Sequence, residues 1–238
     1  MKKVKSLLLF TLVVASLNGF AQTADEVVDK HLAAIGGKDA WKKVTTVITE
    51  GNMDVQGASV NVVSKTIKDK GTRQDISVMG MSGFTILTPS AGWVYMPWAG
   101  QGAAEAIPDS LVKQGADQLD TQGSLVDYAA KGNKIELAGK EDVDGKPTFK
   151  IKVLHKSGKA ETLFIDASTY YIVKSVTVQQ VNGQSVEGTT WFSDYKKQAE
   201  GYVVPMKINM PISMGMNVDL NVTKVAINQP IEDSIFKP

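Results

Sequence analysis

Apolar residues recur along this chain with two different periods, and the change of period divides it. Val27, Val28, His31, Leu32 and Ile35 fall at helical spacing, behind Thr23 and Glu26 spaced as a capping box and ahead of Gly36 at a C′ position. This predicts a helix from Ala24 to Ile35, and a second short helix over Lys38 to Val44 with Trp41 turned inward. From Thr45 onward the period falls to two. Short β-rich runs are punctuated by Gln56-Gly57, Lys70-Gly71, Asp144-Gly145, Ser157-Gly158 and Asn182-Gly183, the local signals of tight hairpins. Sequential hairpins make an antiparallel meander.

Side-chain parity fixes which faces are apolar. Val47, Gly51, Met53 and Val55 share one face of the first run, and a two-residue turn at Gln56-Gly57 pairs Val55 with Ala58, so Ala58, Val60 and Val62 continue that face. The most regular alternation is Met206, Ile208, Met210, Ile212, then Met216, Val218, Leu220 and Val222. A three-residue loop at Ser213 to Gly215 keeps both halves in phase, which predicts a hairpin with one apolar face. Between Ile107 and Ala130 the β signature lapses. Pro108, Asp109, Leu111, Val112, Leu119, Leu125, Val126 and Tyr128 suggest one or two short amphipathic helices there, either a lid over the sheet or an ordinary connection packed on it.

The first 21 residues follow neither pattern. Lys2, Lys3 and Lys5 precede the apolar stretch Leu7 to Leu17, with small residues Gly19 and Ala21 after it. That is the layout of a secretory signal cleaved near Ala21, leaving a single domain over residues 22–238. A membrane anchor is the rival, but the stretch is about half of the ~20 residues that span a bilayer. With no cysteine in the chain, neither a lipid anchor nor a disulfide framework is expected, and stability must come from a buried core. The three lysines of the leader exceed the net charge of +1, so the remainder carries −2, which excludes broad electrostatic capture of nucleic acid.

Candidate chemistry is sparse. His31 and His155 are the only histidines, far apart and without acidic neighbours at metal-ligand spacing, and no nucleophile elbow, zinc-protease motif, phosphate loop or dinucleotide fingerprint occurs. Methionine is the more informative residue. Met79-Gly80-Met81 and Met214-Gly215-Met216 set thioethers around two glycine turns, with Met53, Met96, Met206 and Met210 on the predicted strands. Such residues pack cores, line adaptable apolar cavities, or ligate Cu(I). The run Gly92 to Gly100 adds Trp93, Tyr95 and Trp98, which frame either a cavity mouth or an ordinary core edge.

Several segments in order resemble the outer-membrane lipoprotein-sorting family, the LolA/LolB-like periplasmic carriers. They are Ala34 to Ala40, Gly92 to Pro97, Leu125 to Tyr128 with Lys131-Gly132, Gly139 to Val143, Phe192 to Tyr195, and Pro230 to Phe236, which together span nearly the whole chain after the leader. The resemblance implies a mainly β fold with a few helices: a curved, incompletely closed antiparallel barrel of about eleven strands, under a helical lid. It implies a periplasmic carrier for lipoprotein acyl chains or other lipids, with inner- or outer-membrane transfer partners, and no catalytic residue, metal or cofactor. The alternative is a sensor or protein-interaction module of the same fold. Carriers of this family latch the lid with an arginine of an early strand, and Arg73 is the single arginine here. The residues expected to line the cavity are Met53, Phe84, Ile86, Trp93, Tyr95, Trp98, Leu111, Leu125, Met206, Ile208, Met210 and Met216.

Overall fold

A computed structural model describes residues 22–181, 184–212 and 216–238; residues 1–21, read above as a leader, lie outside them. The first helix, α1 (Ala24–Ala34), opens on the predicted capping box, with the Thr23 side chain and the Glu26 side chain satisfying each other's backbone N–H groups. It ends in a Schellman arrangement, Gly37 N–H to Leu32 O at 2.8 Å and Gly36 N–H to Ala33 O at 3.3 Å. Gly36 has φ 116°, and a Cβ there would stand 2.8 Å from the Gly201 carbonyl, so only glycine lets the helix end meet that turn. The second helix, α2 (Lys38–Lys42), is shorter than expected. Trp41 does turn inward, its indole donating to the Ile35 carbonyl at 2.9 Å and meeting the Tyr202 ring edge-on.

The chain then forms β1 (Thr46–Val55), β2 (Ala58–Ile67), β3 (Gly71–Val78), β4 (Met81–Leu87), β5 (Gly92–Tyr95) and β6 (Glu105–Ala106). After a stretch holding α3 (Asp109–Gln114) come β7 (Lys134–Val143), β8 (Lys146–Leu154), β9 (Ala160–Asp166), β10 (Ile172–Val181), β11 (Gln184–Lys197), β12 (Val203–Pro211) and β13 (Asn217–Ile227). All pair antiparallel in one curved sheet, whose thirteen strands among the described residues run β6-β5-β4-β3-β2-β1-β13-β12-β11-β10-β9-β8-β7. Two meanders are thus joined by the β1–β13 pair, and the sheet does not close into a barrel.

Register confirms the turn signals at Gln56-Gly57 and Asp144-Gly145. Val55 pairs with Ala58 and Val143 with Lys146, and the residues between them, Gln56-Gly57 and Asp144-Gly145, have the paired positive φ of type I′ turns. Met79-Gly80 forms a third such turn. The signal at Lys70-Gly71 is displaced: Ile67 pairs with Gly71 across Lys68, Asp69 and Lys70, so Gly71 begins a strand. Its missing side chain serves packing instead, since a Cβ there would strike the Phe236 ring. The Asn182-Gly183 turn and the loop Ser213 to Gly215 lie outside the described residues, but Val181 faces Gln184, and Ile212 N–H bonds to the Met216 carbonyl, as the expected phases require.

The topology dictates what covers the sheet. Strands β6 and β7 are its two opposite edges, so residues 107–133, which connect them, must travel from one edge to the other. They cross the face that also carries α1. Val27, Val28 and Leu32 of α1 and Leu125 and Val126 of the crossover pack with Phe149, Ile151, Val153, Leu163 and Ile165 of β8 and β9 as the main core. At the other end Gly115 abuts Leu87, and the Leu119 carbonyl accepts from Asp69 N–H at 3.1 Å. Each fully buried side chain of this kind contributes about 1.5–3 kcal/mol, which holds the crossover in place. The opposite face is covered over β2 to β5 by the C-terminal stretch, where Phe236, Ile231 and Ile235 close over Ile67 and the fully buried Ile86.

Candidate functional site: a cavity beneath the crossover

Between the inner face of β9 to β12, α1 and the crossover lies a cavity of about 650 Å³, within the ordinary range for small-molecule sites. Its apolar wall includes Leu32, Leu125, Leu163, Phe192, Val204 and Ile208. Strand pairing explains how distant residues meet there: Leu163 stands opposite Ser175, and Phe192 opposite Ile208, which in turn faces Leu220.

One side of the cavity is polar and built around Glu161, on the same face of β9 as Leu163. Its carboxylate accepts from Ser175 Oγ at 2.9 Å and from Ser124 Oγ at 3.1 Å, and His155 Nε2 lies 3.2 Å away. Burial alone would raise the Glu161 carboxyl, but the His155 and Ser175 hydrogen bonds, the imidazole charge and the Ser124 bond outweigh it and hold the group below the ordinary range. His155 Nδ1 is 3.6 Å from Asp117 of the crossover, which also accepts from Ser157 Oγ at 3.3 Å. On the far wall, α1 supplies His31. Its Nδ1–H donates to the Tyr170 carbonyl at 2.8 Å, and burial, partly offset by that bond, keeps the imidazole below its usual pKa. The Tyr195 hydroxyl donates to the Ile172 carbonyl at 2.6 Å, and burial with the neighbouring Tyr171 pushes the phenol up.

Leu125 and Ile208 stand on the cavity wall. Met206, Met210 and Met53 share its face by parity: Ile208 faces Leu220, and two residues further on Val222 pairs with Gly51, two before Met53. Met216, with Gln56 Nε2 3.9 Å from its sulfur, sits at the hairpin end of that face. Trp98 lies over Gly83 at the β4 end of the inner face, its ring occupying the place of a Cβ. Leu111 is about half exposed on α3.

Phe84, Ile86, Trp93 and Tyr95 lie on the outer face, since Gly51, Val62, Ile76 and Gly83 stand in register on the inner one and Phe84 and Ile86 fall at the opposite parity. They belong to the packing beneath the C-terminal stretch. Arg73 is there too. It donates to Asp75 at 2.7 Å and to the Ile235 carbonyl at 3.1 Å, with its guanidinium over the Phe84 ring, so it ties down the C-terminus and not the crossover. Met79 is 80% exposed at a hairpin tip.

The polar side went unseen in the sequence. Its one legible sign is a charged residue, Glu161, at the apolar parity of Leu163 and Ile165. Ser124, Ser175 and His155 carry no local pattern.

No family model matches the chain, and no curated protein matches it. Among solved structures it is similar to a LolA superfamily protein of Nitrosomonas europaea, with TM-score 0.57 and 14% identity over 92% of this chain and 99% of that one. A DUF1329 family protein of Desulfovibrio piger gives 0.57 and 13% over 91% and 98%. A domain from Vibrio parahaemolyticus described as an outer membrane lipoprotein-sorting protein gives 0.53 and 14% over 89% and 94%. At such identities the likeness is one of fold.

Proposed function

Starting from a LolA-like fold, we propose that this chain is a periplasmic carrier that shelters the acyl chains of a lipid or lipoprotein and performs no chemical step on them. The supporting observation is the 650 Å³ cavity, whose apolar wall faces the crossover and not another sheet. Each buried methylene gains about 0.8 kcal/mol, so an acyl chain in water partitions into such a space in proportion to its length. Residues 22–238 are the carrier domain on this reading, residues 1–21 a leader cleaved near Ala21, and partners in the two membranes deliver and accept the cargo.

Mass spectrometry of organic extracts from protein purified out of its native periplasm tests the proposal. A stoichiometric acyl-bearing species is the expected result, on a protein whose intact mass begins within a residue or two of Gln22. Extracts without such a species, together with failure of the purified protein to bind any fluorescent acyl probe, would refute it.

A further inference from the structure

Resting on the carrier reading, we infer that the cavity selects acyl ligands with a neutral, hydrogen-bonding head, such as a glyceryl hydroxyl or an amide, over ligands with an anionic head. The determinant is Glu161. Its side chain is 16% exposed and lies on the same face as the apolar wall. Oε1 takes the Ser175 proton, and Oε2 faces Ser124 and His155, which leaves acceptor capacity on a carboxylate that has about four lone-pair sites. The serine hydroxyls each spend their single proton on Glu161 and retain acceptor lone pairs. A hydroxyl or amide N–H entering the cavity therefore meets acceptors, and a hydroxyl can satisfy both kinds of group.

An anionic head meets the reverse. Of the carboxylates on this wall, Asp120 is paired with Lys131 at 2.6 Å, and Asp117 has Lys159 at 3.9 Å. Glu161 has no lysine or arginine partner among the described ion pairs, only the His155 imidazole at 3.2 Å. Around Glu161 a fatty-acid carboxylate or a phosphate meets no lysine or arginine among the described ion pairs, and Lys159 of the same lining already lies beside Asp117; in a desolvated wall like charges repel far more strongly than in water.

The test is displacement of an uncharged fluorescent acyl probe from the purified protein at neutral pH by monooleoylglycerol and by oleate, which share one acyl chain and differ in the head. Monooleoylglycerol should compete at about tenfold lower concentration or better. In Glu161→Gln, which keeps the shape and removes the charge, the two should converge because oleate gains. Equal competition in the wild type overturns the inference without touching the carrier reading, and needs no variant to fold. A preference that persists unchanged in Glu161→Gln also overturns it, by placing the selection elsewhere. If the probe itself does not bind, the carrier reading fails and the inference falls with it.

Discussion

Ser124 of the crossover donates its hydroxyl proton to Glu161 of β9 at 3.1 Å, and this bond joins the cavity's cover to its wall. Asn133 braces the same point, donating to the Ser124 carbonyl at 3.1 Å and accepting from Lys156 N–H at 3.1 Å. Ser124→Ala leaves Glu161 with Ser175 and His155 alone. A hydrogen bond to a charged group is worth about 1.5–3 kcal/mol, so that is the expected loss of stability. Hydrogen exchange should quicken around residues 117–126 more than in β9. Equal protection of the crossover in both proteins would mean that this bond does not hold the cover.

Acidification should destabilise the protein in two steps. His31 has a folded pKa below its ordinary 6.5. As pH falls through that value the unfolded chain takes up a proton that the folded one refuses, so stability is full above 6.5 and is lost below it. Glu161, with its folded value below 4.5, adds a second loss beginning near 4.5, where Asp127, Asp166 and Asp219 also contribute below their own ordinary value of 3.8. One proton gives a slope of at most about 1.4 kcal/mol per pH unit. Denaturant titrations across this range should show the upper step in the wild type and its absence in His31→Gln. An upper step that survives the substitution would assign it to another group.

The difference between what the sequence disclosed and what it withheld follows from the range of the interactions. Thr23 and Glu26 cap each other three residues apart, and Gln56-Gly57 sets its own φ values, so such features are written locally. Parity placed Met206, Ile208 and Val218 on one face correctly because a hairpin carries its own register. Parity within one strand does not say which side of a sheet is covered by what. Ile86 and Trp93 look like cavity lining until Phe236, which meets them from 143 residues further along the chain in the case of Trp93, is known to lie over that side. Glu161 illustrates the same limit. Its partners Ser124 and Ser175 come from the crossover and from β10, and nothing near any of the three announces the others.

Arg73→Ala should release the C-terminal stretch and leave the crossover in place. The substitution removes the bond to the Ile235 carbonyl, the Asp75 pair and the cation over Phe84, and should cost about 1–3 kcal/mol. Proteolysis or hydrogen exchange should find residues 231–238 opened, with affinity for an acyl probe within about twofold of wild type. Opening of residues 117–126 instead would restore the latch role that the family resemblance implies for this arginine.

Ile208 offers the most direct test of the cavity itself, because it is half-buried on the wall and reached by both Phe192 and Leu220 across the sheet. Ile208→Lys puts an ammonium into a space with an open mouth. With the cavity empty, the long stem can carry the charge towards the polar side, where Glu161 and Asp117 lie, so the loss of stability should stay near about 1–3 kcal/mol. Once an acyl chain fills that space the charge loses its water, and occupancy becomes costly. Acyl-probe affinity should therefore fall by more than about tenfold while the protein remains folded. Leu154→Lys is the matched control, since Leu154 is 47% exposed in β8 and alternates with the buried Val153. It should change neither property. A folded Ile208→Lys protein that binds the probe as tightly as wild type would remove this wall from the binding site.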